Sequence, residues 1–384
     1  MVIICANALI GPDLEFVQSV YIQVDEHGTI IEITKKQKPT TYQLPPSYIL
    51  IPGFINAHTH VTDAFLKDQG YGLSLDETVG PEGIKHKKLN SSTIEEQSES
   101  IQNSLEMLVK NGYTTFFDFK EQGVEGVVLL KNILSNFPLR GLVFGRSTTE
   151  GDLEDIFNES DGLGFADIFA IDTEIVKITK SLKKKNPEKL VGIHVSESDE
   201  LISNSFLKYG KRDIELVCDY SVFDYVVHAT YANEDELSLL KKNNMSIICC
   251  PTASLYFGLK FPPIESILKK NILLGLGTDN VLSCNPNPFR LMAFTLMSAR
   301  NKNQKITPKE VLKSITVNPG LIVKKKIGQI EEGFSADFIG IDLENPNLKF
   351  SNDIYSAITM RAEPSDIGFQ MYKGGLVKWK DQKS

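Results

Sequence analysis

Short apolar runs alternate with helix-like segments from Pro52 onward, and this alternation restricts the possible folds more than any other feature of the chain. Alternating strands and helices are typical of a parallel sheet covered by helices. Eight runs can be counted, and eight parallel strands close a TIM-type barrel. We therefore predict an α/β fold centred on a (β/α)8 barrel. The runs are ILIPGFINAHTH, TTFFDFKE, LRGLVFGR, DIFAIDTE, LVGIHVSE, DYVVHATY, SIICCPTA and LLGLGTDN.

The fourth run, DIFAIDTE, is the least regular part of this pattern. Only a short acidic stretch between Gly151 and Asp161 is available for the helix that should precede it. We therefore expect a shortened or irregular sector at this point of the barrel.

Both ends of the chain have a different pattern, with short strand-like runs and turns. VIICANALI, SVYIQVD and TIIEITK lie in the first 50 residues, and strand-like runs return between GQIEEGFSADFIGIDL and GGLVKWK. We predict that the two ends pair in one β-sandwich module that the barrel interrupts. The expected division is 1–50 and 323–384 for this module and 51–322 for the barrel.

Composition excludes several classes of protein. The 384 residues are 41% hydrophobic and 23% charged, and no stretch approaches the roughly 20 apolar residues of a membrane span. The formal net charge of -8 disfavours a nucleic-acid partner. The start, MVIICANALI, has no basic region typical of a secretion signal, so we expect a cytoplasmic protein. Five cysteines without a Cys-x-x-Cys spacing favour reduced, buried thiols.

Four histidines and one aspartate lie at the ends of the apolar runs. His58 and His60 form a His-x-His pair, and in a strand this spacing puts both imidazoles on one face. His194, His228 and Asp279 each end a later run. A parallel barrel gathers the carboxyl ends of its strands around one mouth, so residues distant in sequence meet there. The pattern predicts a metal site.

These residues lie in motifs that resemble the amidohydrolase superfamily, in the branch of cytosine deaminase and chlorohydrolase-like nucleobase or nucleoside deaminases. The motifs are PGFINAHTH, HVSE, HATYANEDEL, CPTASLYFG, LGTDN and IGQIEEGFSADFIGID, and the match spans nearly the whole chain. Three imidazoles and a carboxylate suit Zn²⁺, our first expectation, or Fe²⁺. The resemblance implies that one such metal ion is bound by His58, His60, His194 and Asp279.

The resemblance also implies a division of catalytic roles. A bound metal lowers the pKa of water toward about 7, which makes hydroxide available. Asp279 would accept the proton of this water, His228 would orient the nucleophile, and a protonated Glu197 would deliver a proton to a ring nitrogen. Relatives with two metals place a carboxylated lysine at the end of the fourth strand, where DIFAIDTE has none. Lys120 ends the second strand instead, and we predict one metal.

Loop residues give the substrate prediction. The segment Val61 to Leu89 is rich in glycine and long enough to form a lid or a pocket wall. An arginine-glycine segment common after the metal pair is absent, and CPTASLYFG lacks the usual asparagine after its serine. Both departures argue against a familiar substrate. Candidate substrate contacts are Lys120, Arg146, Asp172 and His86.

The leading hypothesis is hydrolysis of carbon–nitrogen bonds other than peptide bonds, specifically deamination of a purine, pyrimidine or nucleoside derivative. A second hypothesis is hydrolysis of a cyclic amide, an imide or a ring halide on the same scaffold. A third is a non-catalytic binding protein in which the metal is structural. The expected partner is a small molecule, and a homodimer is possible.

Overall fold

Strands and helices alternate through the middle of the chain, as the sequence predicts. The computed structural model describes residues 1–147 and 150–379. The strands are β1 (Val2–Ile10), β2 (Glu15–Val24), β3 (Ile30–Thr34), β4 (Tyr42–Gln43), β5 (Tyr48–Pro52), β6 (Phe54–His60), β7 (Tyr113–Lys120), β8 (Arg140–Gly145), β9 (Gly162–Phe165), β10 (Leu190–Val195), β11 (Tyr225–His228), β12 (Ser246–Cys249), β13 (Leu274–Leu276), β14 (Asp279–Asn280), β15 (Phe338–Asp342), β16 (Ile367–Tyr372) and β17 (Gly375–Trp379). The helices are α1 (Leu75–Val79), α2 (Ile84–Ser91), α3 (Ile94–Lys110), α4 (Gly123–Leu134), α5 (Leu153–Glu159), α6 (Thr173–Lys185), α7 (Asp199–Tyr209), α8 (Asp213–Tyr220), α9 (Glu234–Lys242), α10 (Pro251–Tyr256), α11 (Ile264–Lys269), α12 (Pro288–Asn301), α13 (Pro308–Ser314), α14 (Val317–Ile322) and α15 (Ile354–Ser356).

The central sheet contains β6 to β14, and all its neighbouring strands are parallel. β13 pairs with β12, and β14 pairs with β6, so the two segments of the last strand return the sheet to its first strand. The Asn56 side chain stabilises residues 277–278, which separate β13 from β14. It donates to the Thr278 hydroxyl over 2.7 Å and accepts from the Thr278 amide over 3.0 Å. The predicted TIM-type barrel is confirmed.

The predicted position of the fourth barrel strand is wrong. The strand is β9, whose sequence is GLGF, and DIFAIDTE lies beyond it. The carboxylate of Asp167 accepts from two amides of the short 3-10 helix Ile168–Ala170. That of Asp172 accepts from the amides of Glu174 and Ile175 in the first turn of α6. These aspartates therefore begin helices, a position that short acidic side chains favour. The preceding helix, α5, is short, as expected.

Strands from both chain ends form a second sheet, in the order β17-β16-β15-β5-β1-β2-β3, with β4 also paired to β1. Its two ends fold toward each other, because Thr29 bridges to Ser335 and the Tyr42 ring contacts the rings of Phe369 and Trp379. Apolar residues from both ends share one buried core, including Ile4, Ile22, Leu50, Phe338 and Met371. The predicted module of both chain ends is confirmed, and the residue boundaries of the three parts stay a prediction.

An ion pair joins this module to the barrel. Arg140, at the start of β8, donates to the Asp337 carboxylate over 2.7 Å and to the Ser335 hydroxyl over 3.1 Å. The other carboxylate oxygen of Asp337 accepts from the amide of Lys373 over 2.8 Å. Asp337 is buried, so this contact fixes the two parts against each other at a desolvated point.

All five cysteines are buried and unpaired, as expected. Burial raises the pKa of Cys218 and of Cys284 to about 11, which keeps both as thiols near neutral pH. Among the described residues, no helix combines the length and the apolar character that a bilayer crossing requires.

Candidate active site

Five side chains at the carboxyl ends of barrel strands converge on the barrel axis. His58 and His60 come from β6, His194 from β10, His228 from β11 and Asp279 from β14, and all five are buried. Nε2 of His58 lies 3.2 Å from Nε2 of His194 and 3.4 Å from Oδ1 of Asp279. Nε2 of His60 lies 3.5 Å from the same carboxylate oxygen. The cluster expected from the sequence is therefore assembled in space.

Hydrogen bonds on the far side of two rings orient them. Nδ1 of His60 lies 3.1 Å from the Phe119 carbonyl oxygen, and Nδ1 of His194 lies 2.9 Å from that of Phe165. A carbonyl can only accept, so each Nδ1 carries a proton and each Nε2 has a lone pair directed at the cluster. Thr59 donates to the Asp279 carbonyl over 2.9 Å and fixes the last strand at this point.

Backbone conformation also places these side chains. His228 has φ +72°, Asp279 has φ +61° and Ser196 has φ +45°, all in the left-handed region. Such conformations are uncommon outside glycine and cluster at functional sites. Ser196 lies between His194 and Glu197, and its amide and hydroxyl both donate to the buried Asp213 carboxylate, the hydroxyl over 2.7 Å.

The charge states suit a divalent cation. Burial is the largest cause that lowers the pKa of His60 to about 3 and of His228 to about 4, and it also lowers the pKa of His194. Burial acts to raise the pKa of Asp279, but the nearby histidines outweigh it and hold the pKa below its usual range. Neutral imidazoles beside a carboxylate are the forms that bind a metal. The donor set therefore fits one divalent ion.

Glu197 lies at the edge of this cluster. One of its carboxyl oxygens lies 3.5 Å from Nε2 of His228. Burial raises the pKa of Glu197 well above its usual value, and the negative charges of Asp279 and Asp167 raise it further. A raised pKa favours the protonated form of a carboxyl group, which is the form that can donate a proton.

Two of the four candidate substrate contacts lie beside the cluster. Arg146 follows β8, is partly exposed and places Nη1 3.2 Å from Oε1 of Glu121. His86, on α2, is half-buried, and burial followed by the charges of Lys85 and Arg146 lowers its pKa against the opposing effect of Glu121. Both remain candidates for contact with a substrate.

The geometry argues against Lys120 and Asp172 as substrate contacts. Lys120 lies two residues beyond Asp118 on β7, so both point away from Phe119, whose ring packs against the rings of His58 and His194. The Lys120 ammonium donates to a main-chain carbonyl over 3.1 Å and is fully buried. Asp172 is exposed and caps α6. Its expected contact followed from the misplaced fourth strand.

The mouth segment, which we define as residues 61–91, lies across the ends of several strands. The amide of Asp68 donates to the Leu282 carbonyl over 3.2 Å, and the rings of Tyr71 and Tyr256 are 6.1 Å apart. The Asp63 carboxylate accepts from the side chain of Asn280 over 2.7 Å. The segment is therefore bound to the chain after β12 and after β14.

Sequence reasoning missed the acidic residue closest to a cluster histidine. Oε1 of Glu121 lies 2.9 Å from Nδ1 of His60 and 2.6 Å from Nζ of Lys85. Its position directly after the second apolar run was a signal of the same kind that identified Lys120.

Comparisons with known proteins identify a family model, relatives and solved structures that this chain resembles over most of its length. The model of the amidohydrolase family matches residues 49–374. An uncharacterized protein of Methanocaldococcus jannaschii is 34% identical over 83% of this chain and 85% of its own. A 5-methylthioadenosine/S-adenosylhomocysteine deaminase of Thermoanaerobacter pseudethanolicus is 27% identical over 94% of this chain and 88% of its own. An adenosine deaminase of Xanthomonas campestris, solved with bound zinc, is 17% identical with a TM-score of 0.86 over 98% of this chain and 92% of its own.

Proposed function

Because the chain belongs to the amidohydrolase family, we propose that it hydrolytically deaminates an aminated heteroaromatic ring in a purine, pyrimidine or nucleoside derivative. The observation that carries this proposal is the position of Glu197, a partly buried carboxyl with a raised pKa, beside His228 and the donor cluster. An amino group leaves poorly from a ring unless an acid protonates that ring. The relatives named as deaminases support the same reaction class.

One divalent metal is part of the proposal, with Zn²⁺ expected ahead of Fe²⁺. When bound, it would supply Lewis acidity and lower the pKa of a water molecule. The proposed ligands are His58, His60, His194 and Asp279, whose donor atoms approach one another within 3.2–3.5 Å in the contacts given above.

The side chains around the proposed ligands have distinct tasks. Asp279 accepts a proton from water with its second carboxylate oxygen, Oδ2, since Oδ1 is the proposed metal donor. His228 orients the attacking oxygen and stabilises the negative charge that develops on it. Glu197 donates its proton to a ring nitrogen next to the attacked carbon. Asp279 then passes the proton it took from water to the amino group, the carbon–nitrogen bond breaks and ammonia leaves, and the hydroxyl proton of the adduct returns to Glu197 as the carbonyl forms. Arg146 and His86 contact the remainder of the substrate at the rim.

The first experiment measures ammonia release from a panel of purines, pyrimidines, nucleosides and pterins, using protein whose metal content is known. Adenine nucleosides enter the panel first, because the deaminase relatives are named for such compounds. One metal per chain with ammonia release supports the proposal. Turnover of a cyclic amide or a ring halide without ammonia favours the second hypothesis, and metal without any turnover favours a binding protein.

Two variants separate metal binding from proton transfer. His60→Ala should lose most bound metal and all measurable activity, since it removes one of four ligands. Glu197→Gln should keep its metal and lose about 10²- to 10⁴-fold in kcat, the range of one general acid. Normal turnover by Glu197→Gln would exclude the proposed acid.

The remaining expectations concern the surroundings of the enzyme. A cytoplasmic location, a homodimer and the absence of a nucleic-acid partner stay predictions. Size-exclusion chromatography with light scattering tests the homodimer directly.

A further inference from the structure

The Glu121 carboxylate contacts three cationic or proton-donating groups at once. Its Oε1 atom lies 2.6 Å from Nζ of Lys85, 2.9 Å from Nδ1 of His60 and 3.2 Å from Nη1 of Arg146. The Glu121 side chain is only 7% exposed. One buried oxygen atom therefore joins a histidine of the cluster to Lys85 of α2 and to Arg146, which follows β8.

Lys85 brings the mouth segment to this carboxylate. It lies in the first turn of α2, and its side chain is 3% exposed although most of α2 is polar. A second carboxylate, that of Asp63, lies 3.8 Å from its Nζ. A buried ammonium costs several kcal/mol in desolvation unless it is well paired. The contact with Glu121 is the shorter of these two pairings, so it contributes more than Asp63 to the docking of α2 with Lys85 inside.

The same carboxylate controls the His60 ring. The Nδ1 proton of His60 is shared between Glu121 and the Phe119 carbonyl, so the Nε2 lone pair faces Asp279. A carboxylate in this position fixes the tautomer of a metal-binding histidine and makes it a stronger ligand. Glu121 thus contacts both a metal-donor ring and the cover of the barrel mouth.

We propose that Glu121 is a positioning residue that couples docking of α2, through Lys85, to metal binding by His60. This inference rests on the ligand set of the proposed function. A cation at Nε2 makes the Nδ1 proton a stronger donor and so tightens the contact with Glu121. Coupling between two binding equilibria is reciprocal. Docking of α2 therefore strengthens metal binding, and metal binding holds α2 in place.

The test measures the two ends of this coupling separately. Zinc affinity is determined by competition with a chelator, and hydrogen exchange of the α2 amides is followed with and without zinc. The variants are Glu121→Gln, Lys85→Met and the double variant, with Lys87→Met on the exposed side of the same helix as the matched control.

The coupling predicts a specific pattern. Zinc removal speeds α2 exchange in the wild type and in Lys87→Met. Glu121→Gln weakens zinc binding about 10- to 100-fold, the usual effect of losing such a partner, and Lys85→Met weakens it about tenfold. Exchange of α2 in Lys85→Met is fast with or without zinc. The double variant binds zinc as weakly as Glu121→Gln alone, because both changes interrupt one path.

Results that contradict the coupling can be distinguished from results that contradict the proposed function. A wild type that binds zinc without any change in α2 exchange, together with unchanged affinity in Lys85→Met, overturns the coupling and leaves the proposed function intact. Fully additive losses in the double variant also overturn it. A wild type that binds no metal overturns the proposed function itself. If Glu121→Gln does not fold, the wild-type exchange and Lys85→Met still decide the question.

Discussion

Replacing Gly277 by alanine should disturb the cluster through the backbone of His58. A Cβ atom at Gly277 would lie 2.7 Å from both the amide nitrogen and the carbonyl oxygen of His58, and 2.8 Å from its Cβ. Ordinary contacts begin near 3.4 Å, so His58 or residue 277 must move by 3.4 minus 2.7, or 0.7 Å. Functional sites tolerate only about 0.5 Å of displacement.

Gly275 provides the matched control two residues earlier. A Cβ there meets Ala57, Ile248 and Ile322 side-chain atoms at 3.1–3.4 Å, which requires only a few tenths of an ångström. Overpacking costs about 1–3 kcal/mol, and we assign the upper value to Gly277→Ala and the lower to Gly275→Ala. Neither glycine has a positive φ, so backbone strain does not separate the two variants.

Two quantities are measured for each variant and for the wild type. One is the denaturant midpoint of the metal-free protein, and the other is its zinc affinity, determined by competition with a chelator. Movement of His58 by more than the tolerated displacement should weaken zinc binding by about tenfold or more, since 1.4 kcal/mol corresponds to tenfold. Gly275→Ala should keep the wild-type affinity. If Gly277→Ala matches the wild type in both stability and zinc affinity, the inferred backbone contact is wrong.

Three further predictions concern other contacts. Arg140→Met should lower the free energy of unfolding by about 3–5 kcal/mol because it leaves the buried Asp337 carboxylate without a cationic partner. Lys309→Met, which removes an exposed ion pair with Glu15, should cost less than about 1 kcal/mol, and denaturant titration compares the two variants. Asp213→Asn should cost about 1.5–3 kcal/mol, since an amide replaces the carboxylate that accepts from Ser196, and an unchanged melting temperature would contradict this. Removal of metal by a chelator should lower the melting temperature, and added zinc should restore it in a concentration-dependent way.

Local patterns in the sequence predicted most of the barrel and of the histidine cluster. The His58 and His60 pair was predictable because the two-residue period of a strand determines which side chains share a face. His194, His228 and Asp279 were predictable because apolar runs show where buried strands end. Their catalytic and metal-binding roles stay predictions that the variants above test.

The fourth strand failed because two local signals competed. DIFAID is more apolar and longer than GLGF, which favours it as a strand. Asp167 and Asp172, however, each precede a helical turn. Their carboxylates accept from the main-chain amides at the start of that turn, which have no partner inside the helix. The same error brought Asp172 into the list of substrate contacts.

The contacts of Glu121 could not be read from the chain. Lys85 of α2 and Arg146 reach it from the segments that follow β6 and β8, the two strands that flank β7. The conformation of such connecting segments depends on packing rather than on residue periodicity. The direction of Lys120 was predictable in principle, because two-residue alternation from Phe119 turns it outward. Long-range polar contacts are thus the part of the site that required a structure.

The pairing of β5 with β15 has a consequence for synthesis on the ribosome. Tyr48 to Pro52 pair with Phe338 to Asp342 along the whole strand, and the entire barrel is translated between them. One edge of β5 therefore stays unpaired while residues 53–337 are synthesised. An unpaired strand edge is a template on which other chains can pair. A chain truncated before residue 338 would contain the barrel strands together with a β5 edge that is free to pair with another chain.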